Sequence, residues 1–394
     1  MKIPISILNL CGVFIFVFLS SPFIIPEISL TIQQITCIKS ILICFAICQL
    51  LSKHLFVTYK VVLLLVGVLI WSTAQFTLNS ESLNVFFSDF LTIIYFFCFY
   101  LLCERSAELR TKLVNIWFFL IVGFMILSII GSLLFKFIPG IYHWSGEGGY
   151  DTVHCSLLGS IHVSSENSRL SWYFAEPSYF GFFLGFNMLV ITKYGKEIYG
   201  KKYKLLLLLA LLLCILVSSN TLYVTLFITL FFCSIQKLGW FSMKKIQLFL
   251  IISVFMALLI FPNTDLYNVY QQYEQVAESS LADRQSRLQI SSSLFHDLSI
   301  RDYFWGIGGE QIGNLYGKGE SNAFYKMFIE YGSLSILLHI LFIYKFLSCN
   351  MYAFVFAIVG LNAVIIHLTP MFILNILVLH FLFSDRNKFV LMKK

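Results

Sequence analysis

The chain has 394 residues, 59% hydrophobic and 12% charged, with a formal net charge of +7. Apolar runs of membrane-spanning length recur from end to end, which excludes a soluble domain built on one buried core. The runs are continuous rather than alternating, so the predicted class is all-α: a polytopic integral membrane protein of about twelve transmembrane helices in a single domain, residues 1–394.

The first predicted span, Ile3 to Ile25, is too long and too poorly marked at its end for a cleaved signal peptide, and reads as an uncleaved helix. Ile35 to Leu51 is the second span, with Lys39 facing protein or snorkelling. Phe56 to Phe76 and Val85 to Cys103 follow, then the mixed loop Glu104–Lys112. Span five, Leu113 to Ile138, leads into a polar segment, Pro139 to Leu170. Span six, Ser171 to Thr192, runs to the lysine-rich stretch Lys193–Lys204.

Leu205 to Ile235 would be about 46 Å long as one helix, well beyond a hydrocarbon core of about 30 Å. Two helices with Ser218-Ser219-Asn220-Thr221 at the tip put Lys193–Lys204 and Lys237–Lys245 on the same side, as the positive-inside rule prefers. Span nine, Ile246 to Phe261, opens into the longest polar stretch, Pro262 to Asn322. Ala323 to Phe346, Met351 to Leu368 and Met371 to Phe383 complete the spans, and a basic tail ends the chain. Most lysines and arginines then fall on one side, which is cytoplasmic together with both termini. The two large loops, about 139–170 and 262–322, face outward. Of the ten cysteines only Cys155 falls outside the cytoplasm and the spans, so no disulfide framework is expected there. The positive charge is thus a topology signal and not a nucleic-acid footprint.

Arg169 to Gly181, Arg-Leu-Ser-Trp-Tyr-Phe-Ala-Glu-Pro-Ser-Tyr-Phe-Gly, carries a carboxylate into an apolar span. An ionisable side chain at membrane depth costs roughly 2.5–3.5 kcal/mol, so Glu176 is a functional candidate, with Arg169 as its partner. A helical segment would place the two on one face with Tyr173 between them. Alternatively Pro177 starts the helix, Glu176 caps it and Arg169 precedes it in a loop. A structural ion pair and a functional pair both fit these residues.

Outside, Arg169, Arg284, Arg287 and Arg301 stand on a face otherwise poor in cations. A guanidinium offers a fixed fork of donors suited to phosphate oxygens. Arg284 and Arg287 would project together from a helix, though pairing with Glu274, Glu278 and Asp283 on a solvated helix accounts for them as well. His143, His154 and His162 are too irregularly spaced for a metal site, and no metal, phosphate-loop or dinucleotide pattern occurs. His367 stands at the outer end of span eleven, within reach of a cavity or of helix packing alone.

The order of these motifs resembles the O-antigen polymerase family, within the O-antigen ligase and polymerase superfamily of bacterial membrane glycosyltransferases. The resemblance rests on Arg169 followed by Phe-Ala-Glu-Pro-Ser, the Ser-Asn-Thr tip and Arg284-x-x-Arg287. It rests also on Trp305-Gly-Ile-Gly and Ser-Asn-Ala-Phe-Tyr leading to Glu330-Tyr331-Gly332. It implies a metal-independent, cofactor-free, inverting glycosyl transfer at the outer face of the inner membrane. The substrate it implies is an oligosaccharide on undecaprenyl pyrophosphate, and a chain-length regulator membrane protein is the implied partner. Glu176, Arg169 and Glu320 are the catalytic candidates; Arg284, Arg287, Arg301, Asn322, Tyr173 and His367 are the substrate-binding ones. Where ligases resemble His-Ser-His-Asn this chain has Gly319-Glu320-Ser321-Asn322, so polymerase ranks before ligase. A transporter or flippase ranks third, because charge gathers in outer loops rather than at the bilayer midplane.

Overall fold

The computed structural model describes residues 5–19, 32–52, 66, 70, 83–141, 143–144, 152–155, 158–163, 168–172, 174, 177–260, 297–309, 311–312, 323–361 and 369–384. Apart from Val66 and Ile70, the predicted third span lies outside these residues, as do both termini. The described chain is mostly helical. It divides into two compact units, one made of Met1–Val57, Leu91–Phe227 and Leu368–Lys394, the other of Thr58–Phe90 and Ile228–His367.

In the first unit, α1 (Ile5–Phe18), α2 (Ile32–Ser52), α3 (Leu83–Arg105, from Leu91 on) and α4 (Ala107–Phe137) come first. The expected loop between spans four and five shrinks to Ser106, whose hydroxyl accepts from the Leu109 amide and caps α4. Arg110 closes α3 by donating to the carbonyls of Cys103 and Glu104. Lys112 donates to Glu108 at 2.6 Å and to Ser6 at 3.0 Å, tying the start of α4 to α1. Lys39 faces protein, buried with its ammonium 5.1 Å from the Phe16 ring.

Next come four short strands, β1 (His143–Trp144), β2 (Thr152–Cys155), β3 (Gly159–Val163) and β4 (Ser168–Trp172), in an antiparallel meander of order β1-β2-β3-β4. The described chain is predominantly helical as expected, and this small sheet, which is not among the elements predicted from sequence, occupies part of the polar segment before Pro177. Ile161 pairs with Leu170 and both are buried, so one sheet face packs inward. After the sheet come α5 (Pro177–Tyr199), α6 (Tyr203–Val217) and, across the boundary between the units, α7 (Asn220–Lys237); α12 (Pro370–Ser384) completes the first unit. The chain breaks at Ser218, which takes a left-handed conformation at φ 47°, so Leu205–Ile235 is two helices as expected.

Almost every residue of α5 from Pro177 to Ile191 is buried, and α12 is buried nearly throughout, as helices apolar on all sides must be. Phe182 and Phe186 of α5 pack on Phe372 of α12. Lys193 donates to the Leu382 carbonyl at the other end of the same contact. Helix α4 shows two faces. Leu113, Trp117, Ile121 and Met125 are buried, while Phe119, Ile126, Ile130, Leu133 and Phe137 stand exposed along the opposite side. An apolar face of that extent suits lipid.

The second unit holds the rest of α7, α8 (Met243–Ile260), α9 (Ile300–Trp305), α10 (Ala323–Leu347) and α11 (Met351–Leu361). Helix α10 packs on α8, α9 and α11. Among the described residues Gln34–Leu51, Ala107–Phe137 and Phe324–Leu347 are long and apolar enough to cross a membrane, and Ile5–Phe18, Met351–Leu361 and Pro370–Ser384 are shorter apolar helices.

Candidate functional site

Local structure around Arg169 decides between the two geometries the sequence allows. Arg169 lies in β4, with His162 as its cross-strand partner, and the helix begins at Pro177. The continuous helix joining Arg169 to Glu176, and a span six starting at Ser171, are therefore both corrected. Two causes act together: β4 is held by its ladder to β3, and proline is suited to the first helical position, where its missing N–H is no loss. Ser160 pairs with Trp172 while Ile161 pairs with Leu170, leaving Ser171 as the extra residue of a bulge, fully buried. Phe174 then lies against Phe180 and Phe183 of α5, both at 5.5 Å between ring centroids. The strand is thus aimed at the mouth of a buried helix. Tyr173 and Glu176 lie outside the described residues.

The register also bears on the histidines. His143 pairs with His154, and His162 pairs with both Thr152 and Arg169. By the two-residue period of a strand, His143, His154, His162 and Arg169 share one sheet face, opposite the one carrying Ile161 and Leu170. Sequence spacing did not suggest this grouping. Among the described residues no group of His, Cys, Asp and Glu is arranged to hold a metal ion.

Deeper along α5, Asn187 is buried and accepts from the Trp117 indole N–H at 3.0 Å while donating to the Phe183 carbonyl at 2.8 Å. A polar pair inside an apolar helix packing must be satisfied in this way, and it fixes α4 against α5.

In the second unit, Arg301 stands exposed on α9. This short helix is held at its start by a capping box: the Ser299 hydroxyl accepts from the Asp302 amide at 3.2 Å, and the Asp302 carboxylate accepts from the Ser299 amide at 3.3 Å. Partial burial raises the Tyr303 phenol above its usual value, and its ring meets Phe328 edge-on at 5.5 Å. The Trp-Gly-Ile-Gly motif follows at once and crosses α10 where that helix breaks. Gly306 (φ 77°, ψ 177°) and Gly332 (φ 78°, ψ 174°) are the two crossing points. A Cβ on Gly306 would lie 2.3 Å from the Glu330 carbonyl, and one on Gly332 would lie 2.1 Å from the Phe304 oxygen. The break turns the chain away from the donors that would continue the helix, and the carbonyls of Ile329 and Glu330 accept from Ile307 and Gly308, both at 2.9 Å. Glu330, which the sequence presents only as part of a motif, is wholly buried. Arg284, Arg287, Glu320, Asn322 and His367 lie outside the described residues.

Comparison with known protein families, curated proteins and solved structures finds no match.

Proposed function

We propose that this chain is a surface-polysaccharide polymerase of the O-antigen polymerase kind, acting at the outer face of a bacterial inner membrane. The observation that carries the reading is the pivot: an arginine on a short strand that leads, through Glu176, into a buried apolar helix beginning at Pro177. The donor is a growing glycan on undecaprenyl pyrophosphate, and the acceptor is the non-reducing end of a fresh lipid-linked repeat unit. An acceptor hydroxyl attacks the donor's anomeric carbon as the carbon–oxygen bond to the pyrophosphate breaks, and inversion follows from attack opposite the leaving group. Glu176 or Glu320 takes the hydroxyl proton. Arg169, Arg284, Arg287 and Arg301 stabilise charge on the departing pyrophosphate. Asn322, Tyr173 and His367 contact substrate, and holding two lipid carriers in register supplies much of the remaining rate.

Deleting the gene and displaying the host's surface polysaccharide on a gel tests this. The reading expects a single repeat unit on the lipid core, with long chains restored by the wild-type gene. A strain lacking even one attached unit would put the ligase reading first, although the ligase histidine is missing from this chain. Unchanged long chains would overturn both.

A further inference from the structure

The turn between α7 and α8 is firmly held and yet leaves its largest side chains uncovered. Gly239, at φ 76°, closes α7, its amide donating to the Gln236 carbonyl at 3.1 Å. Ser242 caps α8, its hydroxyl accepting from the Lys245 amide at 3.4 Å. Gln247, buried early in α8, donates to the Ser348 carbonyl at 3.0 Å and ties α8 to the chain just past α10. Between these fixed points Trp240 is 71% exposed and Phe241 53%, with Leu238 exposed beside them. Side chains of this size are normally covered, and a turn fixed at both ends cannot fold them back into the packing.

The neighbouring residues give the charge of what covers them. Lys237, Lys244 and Lys245 are all exposed, and the chain holds no acidic residue from Tyr199 to Thr264. The apolar surface also continues away from the turn, through Leu230 and Phe231 on α7 and Leu248, Phe249 and Ile252 on α8, all exposed. Aromatic rings at the head-group level, ammoniums among the phosphates and aliphatic side chains below them are what a membrane surface accepts. An acidic soluble protein would satisfy the lysines and leave the two helix faces uncovered.

We propose that the α7–α8 turn is a docking site for anionic phospholipid head groups, with Lys237, Lys244 and Lys245 on the lipid phosphates and Trp240 and Phe241 in the interfacial layer. Nothing in this rests on the polymerase reading.

Purified full-length protein in a neutral detergent is titrated with dioleoylphosphatidylglycerol or dioleoylphosphatidylcholine, and the lipid-bound species are counted by native mass spectrometry. The triple variant Lys237→Gln, Lys244→Gln, Lys245→Gln weakens phosphatidylglycerol binding by at least about five-fold, the factor one basic residue is worth at an anionic surface, and leaves phosphatidylcholine binding unchanged. Arginine at the same three positions retains the affinity. Trp240→Ala with Phe241→Ala weakens phosphatidylglycerol binding with all three lysines in place. The control removes the same charge from exposed residues of three other helices, Arg105→Gln, Lys136→Gln and Lys196→Gln, and keeps wild-type affinity. Unchanged thermal unfolding shows that the variants are folded; should the triple variant not fold, Lys244→Gln alone replaces it. Wild-type phosphatidylglycerol binding by the glutamine variant, or an equal loss in the control, overturns the proposal. Displacement of the lipid by glycerol phosphate or polyglutamate at equal concentration overturns it in favour of a soluble anion or an acidic protein.

Discussion

Replacing Gly332 by alanine isolates the crossing of the Trp-Gly-Ile-Gly segment over α10. At φ 78° and ψ 174° the residue occupies a region essentially reserved for glycine, where a side chain costs about 1–3 kcal/mol. The added Cβ would also lie 2.1 Å from the Phe304 oxygen and 2.6 Å from the Trp305 amide nitrogen. Both are backbone atoms, so the segments must part, at an overpacking cost of about 1–3 kcal/mol, weakening the two bonds onto Ile329 and Glu330. The combined loss is about 3 kcal/mol or more, a fall of roughly 6–12 °C in melting temperature for a cooperative unit of 150–250 residues. Thermal unfolding of the purified protein in detergent measures it. Gly200→Ala is the internal control: its φ is 56°, yet a Cβ there meets nothing within 4 Å, so only the left-handed backbone term of about 1–2 kcal/mol applies. A Gly332→Ala protein no less stable than Gly200→Ala would refute the crossing as described.

Asn187→Ala strands the buried Trp117 indole N–H and should cost about 1–3 kcal/mol by the same unfolding measurement, whereas Tyr223→Phe should stay within about 1.5 kcal/mol of wild type, because the bond it loses to the Cys214 carbonyl is only part-buried. A His143→Cys and His154→Cys pair, with Cys155 replaced by serine, should oxidise to a disulfide, because directly opposed residues of an antiparallel pair bring their Cα atoms about 4.5–5.5 Å apart. A His143→Cys and His162→Cys pair should not, and the reverse result would mean a different register. Cysteines placed in Lys193–Lys204 and in Lys237–Lys245 should both be shielded from an impermeant thiol reagent in intact cells with permeabilised outer membranes, while one at Ser292 labels. Opposite labelling of the two lysine stretches would remove the basis for placing the arginines outside.

The features legible beforehand were those written in local chemistry. Pro177 offered one of two helix starts, which the structure takes in place of Ser171, whereas Ser218-Ser219-Asn220-Thr221 interrupts an apolar run too long for one span, so that break was readable outright. Lys39 had few options inside an apolar helix and takes one of the two expected. The sheet was not readable, because His-Trp, Thr-Val-His-Cys and Gly-Ser-Ile-His-Val are short, mixed runs whose strand character depends on each other's edges. The same cause hid the shared face of the three histidines: spacing along the chain carries no register. Gly306 and Gly332 lie 26 positions apart, and neither has a special role until the other chain crosses it. Glu330 sits at the centre of that crossing, so its burial follows from tertiary structure and from no local pattern.

The polymerase account is tested most directly by the double replacement Arg169→Met with Glu176→Gln, expressed at wild-type abundance in a strain lacking the native gene. Neutralising both charges leaves neither without its partner, so a pair that merely anchors the strand to the helix would lose little. Surface polysaccharide chain length is the readout. The account predicts a single repeat unit on the lipid core, with the protein present in the membrane. Long chains made by the double variant would contradict it.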